Sequence, residues 1–142
     1  MADGAQTGVL LVAHGDYGAR MVEAAEAIVG PLEIRVVTVR PEAEPHEVGS
    51  SVEAGIAEQD SGGGVLVLTD LCGSTPANVC QAVVGERADC EVLSGLNLPM
   101  LIKLSTCDRS IGAHQLAQEL MATSRRSIVV GRAVPSKRRD QW

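Results

Sequence analysis

Aromatic side chains are almost absent from the sequence. The 142 residues include no phenylalanine, one tyrosine (Tyr17) and one tryptophan (Trp142, the last residue). The hydrophobic core must therefore be built from Val, Leu, Ile, Ala and Met. Binding of nucleic acid through stacking on the bases is nearly excluded, because the chain has so few rings to offer.

Paired cysteine motifs and long apolar runs are also missing. The four cysteines, Cys72, Cys80, Cys90 and Cys107, form no CxxC pair, which excludes a zinc knuckle and a thioredoxin motif. No apolar run is long enough to span a membrane, and no secretory signal opens the chain. We therefore expect reduced thiols, a cytoplasmic location and no insertion into the membrane.

Basic residues are scarce before residue 132 and cluster after it. Residues 1–131 carry 8 Lys and Arg against 17 Asp and Glu, although the net charge of the whole chain is only -6. An acidic body argues against nucleic acid and anionic membranes as partners and is compatible with a basic protein partner. We expect one domain over residues 1–131, followed by a basic, flexible tail over residues 132–142.

Apolar periodicity predicts alternating strands and helices. An unbroken apolar run that ends on His14 is typical of a strand buried on both faces of a parallel sheet. The order of elements predicts an open, doubly wound α/β sheet of four parallel strands, in the order 2-1-3-4, with helices on both faces. The predicted strands are residues 8–14, 34–39, 65–69 and 91–94, and the predicted helices are residues 17–29, 46–58, 76–84, 97–104 and 111–124.

Two predicted strands end on residues that can carry chemistry, His14 and Asp70. In the order 2-1-3-4 these strands are neighbours whose connections leave to opposite faces, which is where such sheets bind ligands. A carboxylate bonded to one ring nitrogen would fix the tautomer and leave the other nitrogen as a nucleophile. We therefore predict His14 and Asp70 as the catalytic pair. His46 and His114 are predicted to be solvated.

The turn after the third strand predicts an anion site at the start of a helix. Thr75 is predicted as the N-cap and Pro76 as the first helical residue. The backbone N–H groups of this turn and the Thr75 hydroxyl would face the anion. Gly15, Gly73, Ser74 and Thr75 are the predicted phosphoryl-binding residues, and no metal or cofactor is expected. This set of groups suits a phosphoryl group carried on a histidine.

Three motifs resemble the mannose-class enzyme IIA of the bacterial phosphotransferase system. They are VAHG at the end of the first strand, DLCGSTPAN after the third and LNLPML after the fourth. The resemblance covers nearly the whole chain, up to about Gly131. It implies that His14 is phosphorylated, that Asp70 is its acidic partner and that Thr75 lies beside the phosphoryl group. It also implies phospho-HPr as the donor, and either an enzyme IIB for sugar uptake or a regulatory target as the acceptor.

The same resemblance implies a homodimer, in which a short antiparallel strand at residues 127–131 crosses to the other subunit. The chain departs from the family pattern at Cys72 and Ala77, where family members commonly have aromatic residues, and at Ser74, where they often have glycine. The loss of both rings affects the expected partner surface more than the expected chemistry.

Three other interpretations remain open from the sequence. The first is the phosphocarrier subunit of a phosphotransferase-dependent dihydroxyacetone kinase, and the second is a non-enzymatic sensor of small anions that uses the same pocket. The third is a cysteine hydrolase built on Cys72. The glycine that follows His14 favours the mannose class over the kinase subunit, and no second histidine at a strand end supports the hydrolase.

Overall fold

The computed structural model describes residues 4–133 of the chain. Strands and helices alternate as predicted, with most boundaries within one or two residues of the expected ones. The elements are β1 (Gly8–His14), α1 (Tyr17–Val29), β2 (Ile34–Val39), α2 (Pro45–Gln59), β3 (Val65–Thr69), α3 (Thr75–Val84), β4 (Cys90–Ser94), α4 (Leu98–Leu104) and α5 (Ala113–Arg126), followed by a 3-10 turn (Gly131–Ala133).

The four strands form one parallel sheet in the order β2-β1-β3-β4, which confirms the predicted topology. The two central strands, β1 and β3, are buried along almost their whole length because helices cover both faces. In the register of the sheet, His14 pairs with Val39, Val12 with Thr69, and Thr69 with Ser94. The carboxyl ends of the strands therefore meet at one edge, where the predicted site residues lie.

Alternation along the central strands divides the core into two apolar layers. Val9, Leu11, Leu66 and Leu68 pack against α1, α4 and α5 on one face of the sheet. On the other face, the intervening residues of β1 and β3 pack against α2 and α3. The buried apolar side chains of the two layers are all aliphatic except Cys80, Cys90 and Met100, as the scarcity of aromatic residues requires.

The predicted fifth strand does not form within the single chain. Ser127 caps helix α5 and residues 128–130 have no regular structure. The side chains of Ile128, Val129 and Val130 are 81%, 63% and 74% exposed. An exchanged strand requires the sheet of a second subunit, so the exchange stays a prediction. The tail predicted for residues 132–142 lies almost wholly outside the described residues.

The helices of the described region are too short or too polar to cross a membrane.

Candidate functional site

His14 and Asp70 are in direct contact at the carboxyl edge of the sheet. The His14 ring atom Nδ1 lies 2.8 Å from Oδ2 and 3.0 Å from Oδ1 of Asp70. The backbone N–H of His14 also donates to Oδ2, at 2.9 Å. The Asp70 side chain is 9% exposed and the His14 side chain 47% exposed. One largely buried carboxylate thus holds both the backbone and the ring of a histidine that faces solvent.

This contact determines which ring nitrogen of a neutral His14 can react. A carboxylate only accepts hydrogen bonds, so Nδ1 must carry the proton and Nε2 must carry the lone pair. No atom of residues 4–133 makes a hydrogen bond to Nε2. The exposed nitrogen is therefore available to an electrophile on another molecule.

Gly15 makes the sharp turn that separates β1 from α1. Its φ is +53°, a backbone angle that residues with a Cβ rarely adopt. The N–H of Gly15 donates to the carbonyl of Val39 at 2.9 Å. A Cβ at this position would meet no atom within 4 Å, so the backbone conformation, and not a lack of space, requires glycine. The turn ends β1 on His14 and leaves the ring at the surface.

Helix α3 begins one residue earlier than predicted, and its cap is Ser74 instead of Thr75. The Ser74 hydroxyl accepts from the N–H of Ala77 at 3.3 Å and donates to the carbonyl of Leu71 at 2.7 Å. Thr75 is the first helical residue and Pro76 the second. The prediction of Thr75 as N-cap was wrong because either hydroxyl could cap a helix that carries proline in its first turn.

This correction changes what the two hydroxyl groups can do. The hydroxyl of Ser74 is committed to backbone groups, whereas that of exposed Thr75 makes no hydrogen bond within residues 4–133. Gly73, with a φ of +82°, forms the turn before the cap, and its carbonyl accepts from the Asn78 side chain at 3.4 Å. Thr75 therefore remains a candidate phosphoryl ligand, whereas both donors of Ser74, its hydroxyl and its N–H, donate to the carbonyl of Leu71.

Thr69, the residue before Asp70, is completely buried and well bonded. Its Oγ1 lies 2.6 Å from Oγ of Ser94, the residue opposite it on β4. Its carbonyl accepts from the N–H groups of Gly95 at 3.1 Å and Leu96 at 3.0 Å. This residue was not singled out from the sequence, although a threonine at the end of an apolar strand, next to the predicted Asp70, was a visible signal.

The other two histidines lie outside this site. His46 is exposed in the first turn of α2, as predicted. His114 is exposed as predicted, and its ring also has two partners. Nδ1 lies 2.6 Å from Oε2 of Glu91, and Nε2 lies 3.2 Å from the carbonyl oxygen of Ala88. Helix periodicity gives the direction of this side chain but not its tertiary neighbours.

The thiols differ in their surroundings. Cys72 is exposed in the loop after β3, whereas burial raises the pKa values of the other three thiols, and to about 12 for Cys80. The ring of His14 is held by Asp70, and no hydrogen bond links a histidine to a cysteine within the described residues. The thiol–imidazole pair that a cysteine hydrolase needs is therefore not present in residues 4–133.

An open cavity of about 440 Å³ lies along α1, directly after the turn that follows His14. Its lining is mainly apolar and includes Tyr17, Met21 and Leu98. Arg20 also lines it, and a hydrogen bond with Glu23 at 3.0 Å raises the pKa of this arginine. Tyr17 is 47% exposed, and Leu71, in the loop after Asp70, is 60% exposed. Exposed apolar side chains therefore follow closely in the sequence after both His14 and Asp70, and such side chains are common on protein-binding surfaces.

Residues 4–133 contain no group of three or more His, Cys, Asp or Glu side chains placed to hold a metal ion.

Most of the chain is similar to known proteins. A family model, EIIA-man, described as "PTS system fructose IIA component", matches residues 8–121. The mannose-specific EIIAB component of Escherichia coli K12 is 26% identical over 129 residues, which cover 89% of this chain and 40% of that protein. The sorbose-specific EIIA component of Lacticaseibacillus casei is 25% identical over 114 residues, or 80% of this chain and 82% of that one.

A solved structure is similar over nearly the same length. The mannose/sorbose specific IIA subunit from Enterococcus faecalis has a TM-score of 0.81 and 26% sequence identity. The superposition covers 92% of this chain and 98% of that subunit.

Proposed function

We propose that this chain, which belongs to the EIIA-man family of phosphotransferase system components, is a histidine phosphocarrier that receives its phosphoryl group on Nε2 of His14. The observation that carries the proposal is the His14–Asp70 pair, in which Nδ1 is held 2.8 Å from the carboxylate and Nε2 is left unbonded at the surface. The donor is phospho-HPr, as the family resemblance implies.

The transfer exchanges one nitrogen–phosphorus bond for another. The lone pair of His14 Nε2 attacks the phosphorus, and the bond between phosphorus and the donor imidazole breaks, with its electron pair returning to the donor nitrogen. The proton on Nδ1 of His14 stays in its hydrogen bond with Asp70 throughout. The carboxylate stabilises the positive charge that the ring acquires as Nε2 becomes bonded to phosphorus.

The groups that follow β3 can stabilise the negative charge on the phosphoryl oxygens. The uncommitted hydroxyl of Thr75 and the N–H of the same residue can donate to those oxygens, because Pro76 has no N–H and that of Ala77 donates to Ser74. The helix dipole also favours an anion there. Gly15 and Gly73 keep this region free of further side chains. No metal is needed, because fixed dipoles and hydroxyl protons offset the charge.

The exposed position of His14 favours transfer between proteins over the sensing of a free anion. A sensor gains affinity by enclosing its ligand, whereas an imidazole that is 47% exposed can approach the histidine of a docked protein. The onward acceptor is an enzyme IIB or a regulatory target, and the protein acts in the cytoplasm, where HPr is found.

We also propose that the working unit is a homodimer. Residues 128–130 expose three neighbouring apolar side chains, and β4 is an edge strand of the sheet. Addition of the exposed segment to the sheet of a second subunit would cover both features.

Incubation with HPr, enzyme I and phosphoenolpyruvate, followed by mass spectrometry of the intact protein and its peptides, tests the proposal. We expect one added phosphoryl group, located on the peptide that contains His14 and labile to acid. A chain that gains no covalent phosphate under conditions in which HPr is phosphorylated would be a sensor and not a carrier. Transfer from this chain to a dihydroxyacetone kinase subunit, and to no enzyme IIB, would favour the kinase alternative.

A further inference from the structure

We propose that Thr69 and Ser94 are positioning residues, which hold the end of β3 so that the carboxylate of Asp70 is aimed at the ring of His14. The inference rests on the proposed function, because it concerns the rate at which His14 accepts a phosphoryl group. Neither residue touches His14, and both act through Asp70.

Thr69 is fixed at its side chain and at its carbonyl. The hydroxyl pair with Ser94 spans 2.6 Å, a short distance for an O–H···O hydrogen bond, and Thr69 is completely buried. The carbonyl of the same residue accepts from the N–H groups of Gly95 and Leu96, the first two residues after β4. Three hydrogen bonds therefore anchor the residue that precedes Asp70 to the end of the edge strand.

The hydroxyl pair lies in a layer that is otherwise apolar. Thr69 follows Val65 and Val67 on the face of the sheet covered by α2 and α3, and Ser94 lies opposite it on the same face. Among residues 4–133, only Thr7, Thr69 and Ser124 are both polar and buried. A buried hydroxyl is costly unless it is bonded, so a valine would be the expected residue at position 69 if packing alone mattered.

Asp70 depends on this anchor for its direction. Within the described residues its carboxylate makes hydrogen bonds only to the backbone and ring of His14, and no other side chain holds it from behind. The orientation of the carboxylate therefore follows from the backbone at the end of β3. A small rotation there would lengthen the contact with Nδ1, and reacting groups lose rate steeply when their geometry shifts.

Three variants distinguish a positioning role of Thr69 and Ser94 from a merely structural one. Thr69→Val and Ser94→Ala each leave one hydroxyl without its partner, whereas the double variant removes both. A purely structural pair predicts that the double variant recovers stability and rate together, since no buried hydroxyl is left unpaired. A positioning pair predicts that stability recovers but the rate does not.

Thr7→Val is a matched control. Thr7 is also a buried threonine, and its hydroxyl donates to the carbonyl of Gly63 at 3.4 Å, but it lies before β1, at the opposite end of the sheet from His14. We expect this variant to leave the transfer rate unchanged. Thr69→Ser, which keeps the hydroxyl, should restore most of the rate that Thr69→Val loses.

The experiment measures the maximal rate of phosphoryl transfer from phospho-HPr, the HPr concentration at half-maximal rate, and the ring nitrogen shifts of His14 by NMR. We expect Thr69→Val to lower the maximal rate about tenfold, the size typical of residues that orient a reacting side chain, with the half-saturation concentration unchanged. In the same variant the ring should move away from the tautomer protonated on Nδ1. In an Asp70→Asn background, Thr69→Val should cause no further loss of rate.

Several results would overturn the inference. They are an unchanged maximal rate and tautomer in Thr69→Val, full recovery of the rate in the double variant, or an undiminished effect of Thr69→Val in the Asp70→Asn background. If Thr69→Val does not fold, the same lower rate and the same change of tautomer are expected of Ser94→Ala. If the unaltered protein takes no phosphoryl group, the proposed function fails, but the NMR comparison still decides whether Thr69 orients the His14–Asp70 pair.

Discussion

His14 and His114 pair the same ring atom with a carboxylate, but only His14 leaves its second nitrogen unbonded within the described residues. Nδ1 of His14 contacts Asp70 at 2.8 Å, and Nδ1 of His114 contacts Glu91 at 2.6 Å. In His114, Nε2 also lies close to a partner within the protein, the carbonyl of Ala88 at 3.2 Å, so this nitrogen is already occupied. Pairing with a carboxylate is thus not sufficient for nucleophilicity, because the other nitrogen must also be available.

The first prediction follows from this difference. His14→Ala should abolish phosphorylation by phospho-HPr, while His114→Ala, which also removes an exposed and paired histidine, should keep it. Loss of the contact with Asp70 should lower the free energy of unfolding by only about 1 kcal/mol. Mass spectrometry of the phosphorylated peptides and thermal unfolding check both points. Phosphate on His46 or His114 in the His14→Ala variant would contradict the assignment.

The second prediction concerns the role of the carboxylate. Asp70→Asn should slow phosphoryl transfer roughly a hundredfold with little change in fold, because an amide can donate to Nδ1 and so favour the wrong tautomer. Rapid-quench measurement of transfer from phospho-HPr gives the rate. Transfer at the full rate would make Asp70 a residue of structural importance only.

The third prediction separates the two neighbouring hydroxyl groups. Thr75→Val should lower the transfer rate roughly tenfold or more, because it removes a donor to the phosphoryl oxygens. Ser74→Ala should instead lower the free energy of unfolding by about 1 kcal/mol, because it removes the cap of α3. Rate and unfolding measurements on both variants test this. A lower rate in Ser74→Ala together with a lower stability in Thr75→Val would reverse the two roles.

The fourth prediction concerns assembly. The protein should sediment as a dimer at micromolar concentration, and Val129→Asp should give a monomer, since a charge cannot be buried in an apolar strand without a partner. Truncation after Ser124 should likewise give a monomer or an aggregating chain. A monomeric full-length protein would exclude the exchanged strand without affecting the chemistry of His14.

The fifth prediction concerns stability at alkaline pH. Burial raises the pKa of Cys80 from 9.0 to about 12, so between these values the unfolded chain loses the proton while the folded chain keeps it. This contribution to stability is complete below pH 9 and is lost as pH rises toward 12. The free energy of unfolding should therefore fall with a slope of up to about 1.4 kcal/mol per pH unit from this thiol.

Chemical denaturation at several pH values measures the slope. Cys80→Ala should make it shallower, while Cys72→Ala, a change at an exposed thiol, should leave it as it is. Equal slopes in all three proteins would show that the burial of Cys80 does not govern the alkaline loss.

Much of the fold and the central pair could be predicted because they depend on local patterns. The apolar runs that end on His14 and before Asp70 define central strands, and the order of elements then brings the two side chains together. What could not be predicted depends on contacts between distant segments. The bond between Thr69 and Ser94 and the contact of His114 with Glu91 each join residues more than 20 positions apart.

The prediction of the N-cap of α3 failed for a different reason. Ser74 and Thr75 are adjacent and chemically equivalent as caps, and proline is accepted at either of the first two helical positions. Only the backbone conformation of the turn decides between them, and Ser74 has the extended ψ of 163° that precedes a helix.

The position of Tyr17 at the start of α1 gives this protein a built-in optical reporter. It is the only tyrosine of the chain, it follows His14 by three residues, and its ring is 47% exposed on the surface that we expect a partner to cover. Because the chain has no phenylalanine and its single tryptophan is the last residue, replacement of Trp142 would leave Tyr17 as the sole fluorophore. Its emission would then report phosphorylation and docking at the site directly, without any attached dye.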